Sequence, residues 1–429
     1  MISSTTAALV LCSCIVAACA LSLWRDLKGR SRAKALKVAM TNQPTPQPPA
    51  INAASIAPAG TRKRLRALGI KIGTLPPGTD NAITDVPGVK VGHTTVISGD
   101  GTLVPGHGPA RTGVTVIMPH SQDLWNTRVS AGHFVLNGNG CVTGLDWISE
   151  SGFLEGPIAL TNTHSVGDVY NGLTTWMQNR FPQIGHTDDS YLPVVGECDD
   201  SFLNDLRGRH VKEHHVIEAL DKAASGPIAE GAVGAGAGMS CYDFKGGIGT
   251  ASRKLSAEDG GYTVGVLTNC NHGDRGELTM AGVPVVPLIE ERMPVGHVEG
   301  SIVIIVATDA PLSPRQLNRL AKRAAIGLGR TGSVAHHSSG DFIIAFSNGR
   351  TTERASEETV RTLPELSDDC INPLFTAAAE ATEEAVLNAI CMATTVVGRD
   401  GNAAYALPIE QLASIFHDYG KQLQNIGKE

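Results

Sequence analysis

Short apolar runs alternate with glycine-containing turns and helical stretches along most of the chain. Four of these runs have the length and residue types of buried strands, at residues 114–118, 264–267, 302–306 and 342–346. Apolar positions repeat with a helical period over residues 314–328, 372–392 and 408–419. Because strands and helices are mixed throughout, the pattern predicts sheets whose faces are covered by helices.

The first 60 residues depart from this pattern. Residues 7–24 carry no charge and are just long enough to span a bilayer. Positive residues follow between Arg25 and Lys37, which predicts a membrane anchor with a cytoplasmic catalytic domain on its C-terminal side. A targeting peptide and a start at Met40 are the alternatives. The predicted segments are an apolar segment with its basic flank (1–40), a Pro-rich linker (41–60) and a globular part (61–429).

The composition places most of the chain among globular proteins. Apolar residues make up 42% and charged residues 18% of the 429 residues, which excludes a largely disordered chain. The 48 glycines follow no G-X-Y period, which excludes collagen. The net charge of -7 gives no support for a nucleic-acid partner. The nine cysteines include no CxxC pair and no zinc-finger spacing, which favours reduced thiols in an intracellular protein.

A glycine run and two histidine pairs suggest a cofactor or metal site, but a purely structural role explains each of them better. The glycine run 231–238 lacks the preceding strand, the following helix and the ribose-binding acid of a dinucleotide site, so close-packed backbone is favoured. His214 and His215 lie on a predicted solvated helix without an HExxH motif, and the pair His336 and His337 also lacks further ligands. The sequence therefore predicts no metal and no organic cofactor.

Residues 297–311 contain a candidate nucleophile. Ser301 follows Gly300 and opens a strongly apolar strand. By spacing alone the pair is a turn before a strand, but a self-processing hydrolase also requires a small nucleophile after glycine at this place. Cleavage between the two residues would make Ser301 N-terminal, with its hydroxyl as nucleophile and its own amine as the adjacent base. An α-amino group has a pKa of about 7.7–8.0, so it can accept a proton close to neutral pH.

Several long motifs decide between these interpretations. They are Gly300-Ser301 with the strand that follows, LGI at 68–70, NAITDVPGV at 81–89, VGHTT at 91–95, NTHSVGDVYNGL at 162–173, FKGGIGTASR at 244–253, NHG at 271–273 and SSGD at 338–341. In this order they resemble the DmpA family of aminopeptidases, the β-peptidyl aminopeptidase group. The resemblance extends from about residue 61 to the C-terminus and favours Ser301 as a nucleophile.

The resemblance implies a role for each matching site residue. Ser301 is the self-released N-terminal nucleophile. Ser339 would contact the Ser301 amine or hydroxyl, and Asp341 would hold that network and help to bind the free amine of the substrate. Asn271 would donate its side-chain amide to the oxyanion that forms at the scissile carbonyl.

The resemblance also implies the architecture. Family members are α/β proteins with a four-layer α/β/β/α sandwich, which resembles the N-terminal nucleophile hydrolases with a different strand connectivity. They assemble as oligomers of αβ units, usually tetramers. We therefore expect a homotetramer in which the single catalytic domain, 61–429, is cleaved into an α part (61–300) and a β part (301–429).

One segment departs from the family pattern. The family's Glu-x-Tyr-Asp-x-x-Leu-Asn-Asp appears at residues 197–205, where Asp199 replaces a tyrosine that is expected to help bind substrate or oxyanion. An additional acid at this position would favour a basic or amine-rich end of the substrate.

The sequence thus predicts a self-cleaving serine aminopeptidase that acts through an acyl-enzyme. Its substrates would be small peptides or amino-acid amides and esters, from which it removes the N-terminal residue. One alternative is an acyl transferase of the ornithine acetyltransferase kind, although those enzymes process before threonine. The other is an unprocessed, inactive scaffold protein, an interpretation that Asp199 leaves open.

Overall fold

A computed structural model describes residues 62–289, 300–355 and 358–426 of the chain. The predicted apolar segment with its basic flank, 1–40, and the linker, 41–60, lie outside these residues. Within the described ranges, no helix combines the length and the apolar character needed to cross a membrane. The cysteines of the described ranges are all free thiols.

The described residues form sixteen strands, several of them only two residues long. In chain order they are β1 (Lys90–Ser98), β2 (Ala110–Met118), β3 (Thr127–Gly138), β4 (Phe153–Leu154), β5 (Ile158–Asn162), β6 (Val194–Cys198), β7 (Ser240–Cys241), β8 (Phe244–Lys245), β9 (Gly247–Lys254), β10 (Thr263–Asn271), β11 (Thr279–Met280), β12 (Val283–Pro284), β13 (Ser301–Thr308), β14 (Gly340–Glu353), β15 (Val396–Val397) and β16 (Ala403–Ala404). Each of the four strands predicted from the sequence lies within one of these, namely β2, β10, β13 and β14.

The same ranges contain six α-helices. They are α1 (Leu145–Ser151), α2 (Val166–Arg180), α3 (Glu213–Asp221), α4 (Pro314–Arg330), α5 (Asn372–Met392) and α6 (Leu412–Ile426). Helix α5 has the predicted bounds and α4 extends two residues beyond its predicted end. Helix α6 begins later than predicted because Pro408, with a non-helical ψ of 80°, is followed by a 3-10 turn before the α-helix starts.

The longer strands form two sheets. The order β1-β2-β5-β6 makes a four-stranded sheet, and the order β4-β3-β14-β13-β10-β9 makes a six-stranded sheet. In the larger sheet, β13 is antiparallel to β10 and parallel to β14. The parallel neighbour is reached through α4, which crosses over the sheet.

Three apolar clusters separate four layers. The first lies between the two sheets, the second between the six-stranded sheet and helices α4 and α5, and the third between the four-stranded sheet and helices α2 and α3. Representative members, in that order, are Leu160 and Val303, Ile304 and Leu320, and Val116 and Leu173. This α/β/β/α arrangement confirms the predicted fold class.

Strand β13 is buried on both of its faces. Val303 and Ile305 belong to the cluster between the sheets, whereas Ile302 and Ile304 belong to the cluster beneath α4 and α5. A strand covered on both sides has an uninterrupted apolar sequence, which is why this strand was visible in the sequence. Because side chains alternate along a strand, Ser301 shares the inter-sheet face with Val303.

Two motifs noted in the sequence have a packing explanation. Arg253, at the end of the motif at 244–253, is fully buried and pairs with Glu380 at 3.0 Å and Glu384 at 2.8 Å, which fixes β9 against α5. The glycine run 231–238 forms a short 3-10 turn, and a Cβ on Gly238 would lie 2.2 Å from the carbonyl oxygen of Arg111. The run is close-packed backbone, as predicted.

Candidate active site

Ser301 occupies the first position of β13, between β10 and β14. Its register partners are Asn271 on the antiparallel side and Gly340 on the parallel side. The preceding residue has no room for a side chain, because a Cβ on Gly300 would lie 1.6 Å from the carbonyl oxygen of Asn271. Glycine at 300 therefore allows the backbone before Ser301 to lie directly against β10.

The side-chain amide of Asn271 is held at both ends. Its Oδ1 accepts a hydrogen bond of 2.8 Å from the backbone N–H of Ser240, and its Nδ2 donates to the carbonyl oxygen of Asp199 at 2.7 Å. A primary amide carries two hydrogens on Nδ2, so one hydrogen remains for another acceptor. The fixed amide beside Ser301 thus has the chemistry of an oxyanion donor.

Ser339 and Asp341 flank Gly340, the parallel partner of Ser301. The hydroxyl of Ser339 donates to Oδ1 of Asp341 at 2.7 Å, and its backbone N–H closes a turn on the carbonyl of His336 at 2.8 Å. Residues 336–341 thus combine a turn with a side-chain hydrogen bond between Ser339 and Asp341. The hydrogen bond of Ser339 is made to Asp341, while its expected contact with Ser301 stays a prediction.

Asp341 is a carboxylate with unused hydrogen-bonding capacity. It is fully buried, and its Oδ2 has no hydrogen-bond partner. Burial raises the pKa of this carboxyl to about 6, since a charge in a poorly solvated place is disfavoured. A cation placed next to this carboxylate would relieve that penalty.

A small cavity of about 190 Å³ opens at Ser301. Its lining residues are Asn139, Gly140, Thr163, Glu197, Asp199, Gly300, Ser301 and Ser338. Among the described residues, the lining contains two carboxylates and no lysine, arginine or histidine. A cavity of this size and charge suits a small group that carries a positive charge.

Glu197, on this cavity wall, was missed by the sequence reasoning. Its Oε1 accepts from the backbone N–H of Cys141 at 2.8 Å, and its Oε2 accepts from the hydroxyl of Thr163. Burial raises the pKa of Glu197 above its ordinary value. A signal was available, because Glu197 and Asp199 are two residues apart at the end of β6 and a strand places such residues on one side.

Cys198 lies behind the candidate nucleophile. Its thiol donates to the backbone carbonyl oxygen of Asn269 at 3.6 Å, and the Ser301 side chain is close enough to act on its pKa. Burial raises the pKa of Cys198 well above its usual range, so the thiol stays protonated and does not act as a competing nucleophile.

The histidine pairs lie outside this cavity. His214 and His336 are both exposed, and His336 pairs with Glu277 at 2.8 Å. His337 is exposed as well, whereas His215 is half-buried and its Nδ1 accepts a hydrogen bond of 3.0 Å from the backbone N–H of Lys212. The described residues do contain one group of side chains with metal-binding chemistry, Cys241, Cys270 and His272. Sequence spacing gave no indication of that group.

Comparison with known proteins places this geometry in a family. A sequence model of peptidase family S58 matches residues 81–404. The chain belongs to this family. Beta-peptidyl aminopeptidase BapA of Sphingosinicella xenopeptidilytica is 45% identical over 369 residues, which are 82% of this chain and 90% of that protein. The BapA of Sphingosinicella microcystinivorans is 42% identical over 372 residues, 83% of this chain and 92% of that one.

Solved structures of similar proteins have the same fold. The beta-aminopeptidase of a Burkholderia species matches with a TM-score of 0.77 and 44% identity, over 83% of this chain and 99% of that one. The L-aminopeptidase D-Ala-esterase/amidase of Ochrobactrum anthropi, a prototype of the serine aminopeptidases with a variant of the Ntn hydrolase fold, matches with a TM-score of 0.76 and 40% identity over the same shares.

Membership confirms the predicted family and enzyme class. The S58 chain described here is a hydrolase, a serine-type aminopeptidase with an N-terminal-nucleophile hydrolase fold. Its family assignment favours this activity over the acyl-transferase alternative.

Proposed function

We propose that Ser301 is the nucleophile of this aminopeptidase and that it is released by cleavage of the Gly300–Ser301 bond. The Ser301 hydroxyl attacks the carbonyl carbon of Gly300, and the hydroxyl proton passes to the departing nitrogen of Ser301. Water then hydrolyses the ester that links Gly300 to the Ser301 oxygen. The products are an α part that ends at Gly300 and a β part that begins with a free Ser301 amine.

Turnover repeats this chemistry on an external peptide. The free amine of Ser301 accepts the proton of its own hydroxyl as the oxygen attacks the substrate carbonyl, and it returns the proton to the leaving amine. The remaining hydrogen of Asn271 Nδ2 stabilises the oxyanion, a contact that is worth about 10²–10³ in rate in comparable enzymes. Water completes the cycle by hydrolysing the acyl-enzyme, without any cofactor.

The carboxylates near Ser301 have two different roles, according to whether they lie behind Ser339 or line the cavity. Asp341 lies fully buried behind Ser339, which supports a role in orienting Ser339 and the Ser301 amine. Glu197 lines the cavity and Asp199 is an exposed lining residue, so these two carboxylates attract the ammonium group of the incoming substrate. This assignment transfers most of the amine binding expected of Asp341 to Glu197 and Asp199.

The size of the cavity supports a small N-terminal residue in peptides, amides or esters. Two relatives at 42% and 45% identity are named beta-peptidyl aminopeptidases, which makes peptides with an N-terminal β-amino acid a second substrate candidate. The observation that carries the proposal is the position of Ser301, at a strand start beside a fixed amide and a cavity with two carboxylates.

The deciding experiment is intact mass and N-terminal sequencing of the purified protein. We expect a 129-residue fragment that begins Ser-Ile-Val-Ile-Ile. Ser301→Ala should abolish both cleavage and hydrolysis of alanyl and β-alanyl amides, because no hydroxyl is left to attack. Ser347→Ala, which alters another buried serine of the same sheet, should leave both intact. An uncleaved wild-type chain, or normal processing of Ser301→Ala, would reject the mechanism.

A further inference from the structure

Two thiols and an imidazole meet at the end of β10, on the face of the six-stranded sheet opposite to the side chain of Asn271. Cys241 ends β7, Cys270 is the penultimate residue of β10, and His272 follows the end of that strand. One ligand atom from each side chain lies within 4.8 Å of the other two. All three side chains are buried, and two of them bracket Asn271 in the chain.

The separations match those of atoms that share one metal ion. Bond lengths of about 2.3 Å to sulfur and 2.0 Å to nitrogen place two ligands of a tetrahedral zinc ion about 3.6 Å apart. The Sγ of Cys241 lies 3.8 Å from Nδ1 of His272. The imidazole also makes an edge-type contact with the ring of Tyr242, with ring centroids 5.1 Å apart and an angle of 69° between the ring planes. Only a small closure of the three side chains is therefore required.

We propose that Cys241, Cys270 and His272 bind one thiophilic metal ion, and that Zn²⁺ is the ion whose charge matches the site. Two thiols and a neutral imidazole form the soft ligand set that such ions prefer. On binding, each thiol releases one proton and the imidazole supplies a lone pair. The two thiolates then neutralise the divalent ion, so no uncompensated charge remains in the core.

A buried lysine lies close to the three proposed ligands. The ammonium of Lys245 is fully buried near Cys241, where it donates to the carbonyl oxygens of Gly236, Met239 and Gly246 at 2.8, 2.6 and 2.9 Å. These three hydrogen bonds use all the N–H donors of the ammonium, so Lys245 does not compete for the two thiols or the imidazole.

The site is coupled to the proposed active site through Asn271. The Oδ1 of this residue is held by the N–H of Ser240, which precedes Cys241, and Asn271 itself lies between Cys270 and His272. Closure of the ligands around a metal therefore moves the backbone of Asn271 and the Ser240 N–H that holds its Oδ1, while the contact of Nδ2 with the Asp199 carbonyl has no direct link to the metal site. We expect bound Zn²⁺ to inhibit the aminopeptidase, and this consequence rests on the function proposed for Asn271.

Metal content tests the site independently of activity. The full-length chain is used with Cys12, Cys14, Cys19, Cys141 and Cys370 replaced by serine, which removes the exposed thiols and those of the N-terminal segment. Because the ligands are buried, the protein is produced in zinc-supplemented medium and then dialysed against a weak chelator. Elemental analysis should give one zinc per chain in this background and in the control Cys391→Ala, a buried thiol outside the group. Cys241→Ala and Cys270→Ala should retain less than a tenth of that zinc.

X-ray absorption spectroscopy of the zinc-loaded background protein identifies the atoms bound to zinc. It does not depend on whether the alanine variants fold. Two sulfurs and at least one nitrogen around zinc are expected. Equal zinc in background and both alanine variants, a metal-free background protein, or a mass two hydrogens lower from a Cys241–Cys270 disulfide would overturn the proposal. Alanine variants that lose zinc but remain inhibited by it would reject the coupling to Asn271 alone.

Discussion

The buried carboxylate Asp341 lowers the stability of the fold in the same ionised form that its proposed role in the active site requires. Asp341 has no exposed surface and one unpaired oxygen, and its pKa of about 6 lies above the ordinary value of 3.8. The folded chain therefore holds this proton more tightly than the unfolded chain. Stability conferred by the protonated form is present at low pH and is lost as the pH rises from about 4 through about 6. At neutral pH the ionised group destabilises the uncleaved fold.

Asp341→Asn should consequently stabilise the uncleaved chain. In a Ser301→Ala background, which prevents processing, we expect the free energy of unfolding at pH 8 to increase by about 1–3 kcal/mol. Urea unfolding at pH 8 and at pH 4.5 measures this, and the gain should shrink at the lower pH, where both side chains are neutral. A gain of the same size at both pH values would contradict the electrostatic cause.

The same substitution should impair the processed enzyme. With Ser301 intact, Asp341→Asn keeps the acceptor for Ser339 but removes the charge beside the new amine, so kcat/KM for alanyl amide should fall at least about tenfold. An unchanged kcat/KM would separate Asp341 from the catalytic network.

The proposed role of Asp199 is to favour substrates with a second positive charge, and single substitutions test it. An additional carboxylate at the cavity favours a second positive charge in the substrate, so the ratio of kcat/KM for lysyl over norleucyl amide should fall about three- to tenfold in Asp199→Asn. Asp199→Tyr, which restores the family residue, should lower it equally. Asp259→Asn, at an exposed carboxylate outside the cavity, should leave it unchanged. An unaltered ratio in both Asp199 variants would remove this residue from substrate selection.

At the scale of elements, β10 lies directly against Gly300, the residue that precedes β13 and the proposed scissile bond. Gly300→Ala places a methyl group into the carbonyl of Asn271 and should slow self-cleavage about tenfold or more, as each 1.4 kcal/mol of barrier is a factor of ten. The time course of fragment formation measures the effect. Gly329→Ala, a glycine with open space around its Cβ position, is the matched control. Cleavage at the wild-type rate in Gly300→Ala would show that this contact is absent when the bond breaks.

The sequence predicted individual strands and helices better than it predicted which strands pair with each other. Strand β13 and helix α5 were visible because each has an apolar pattern of its own. The pairing of β13 between β10 and β14 depends on contacts between distant parts of the chain, which no local pattern encodes. For the same reason Glu197 and the group of Cys241, Cys270 and His272 escaped notice. The proposed roles of Ser301 and Asn271 came from family motifs, and the geometry supplied the physical reason for their proximity.

At the scale of the whole molecule, the catalytic domain should function without its N-terminal segments. The described fold starts at residue 62, so deletion of residues 1–40 should leave kcat/KM within about twofold of the full chain. The mass of both proteins in solution, measured by light scattering, should correspond to a homotetramer of αβ units. Loss of activity on deletion would give the segment a role beyond the predicted anchor, and a monomeric mass would refute the predicted assembly.

The order of strands in the six-stranded sheet has a consequence for how the cleaved protein refolds after denaturation. Strands β13 and β14, which follow the proposed cut, lie between β3 and β10, which precede it. Before the cut, folding is a first-order process of one chain. After it, the same sheet can only be rebuilt by the encounter of two polypeptides, so recovery from denaturation becomes second-order and depends on concentration. Self-cleavage thus turns a protein that can refold alone into one that persists mainly because it unfolds slowly.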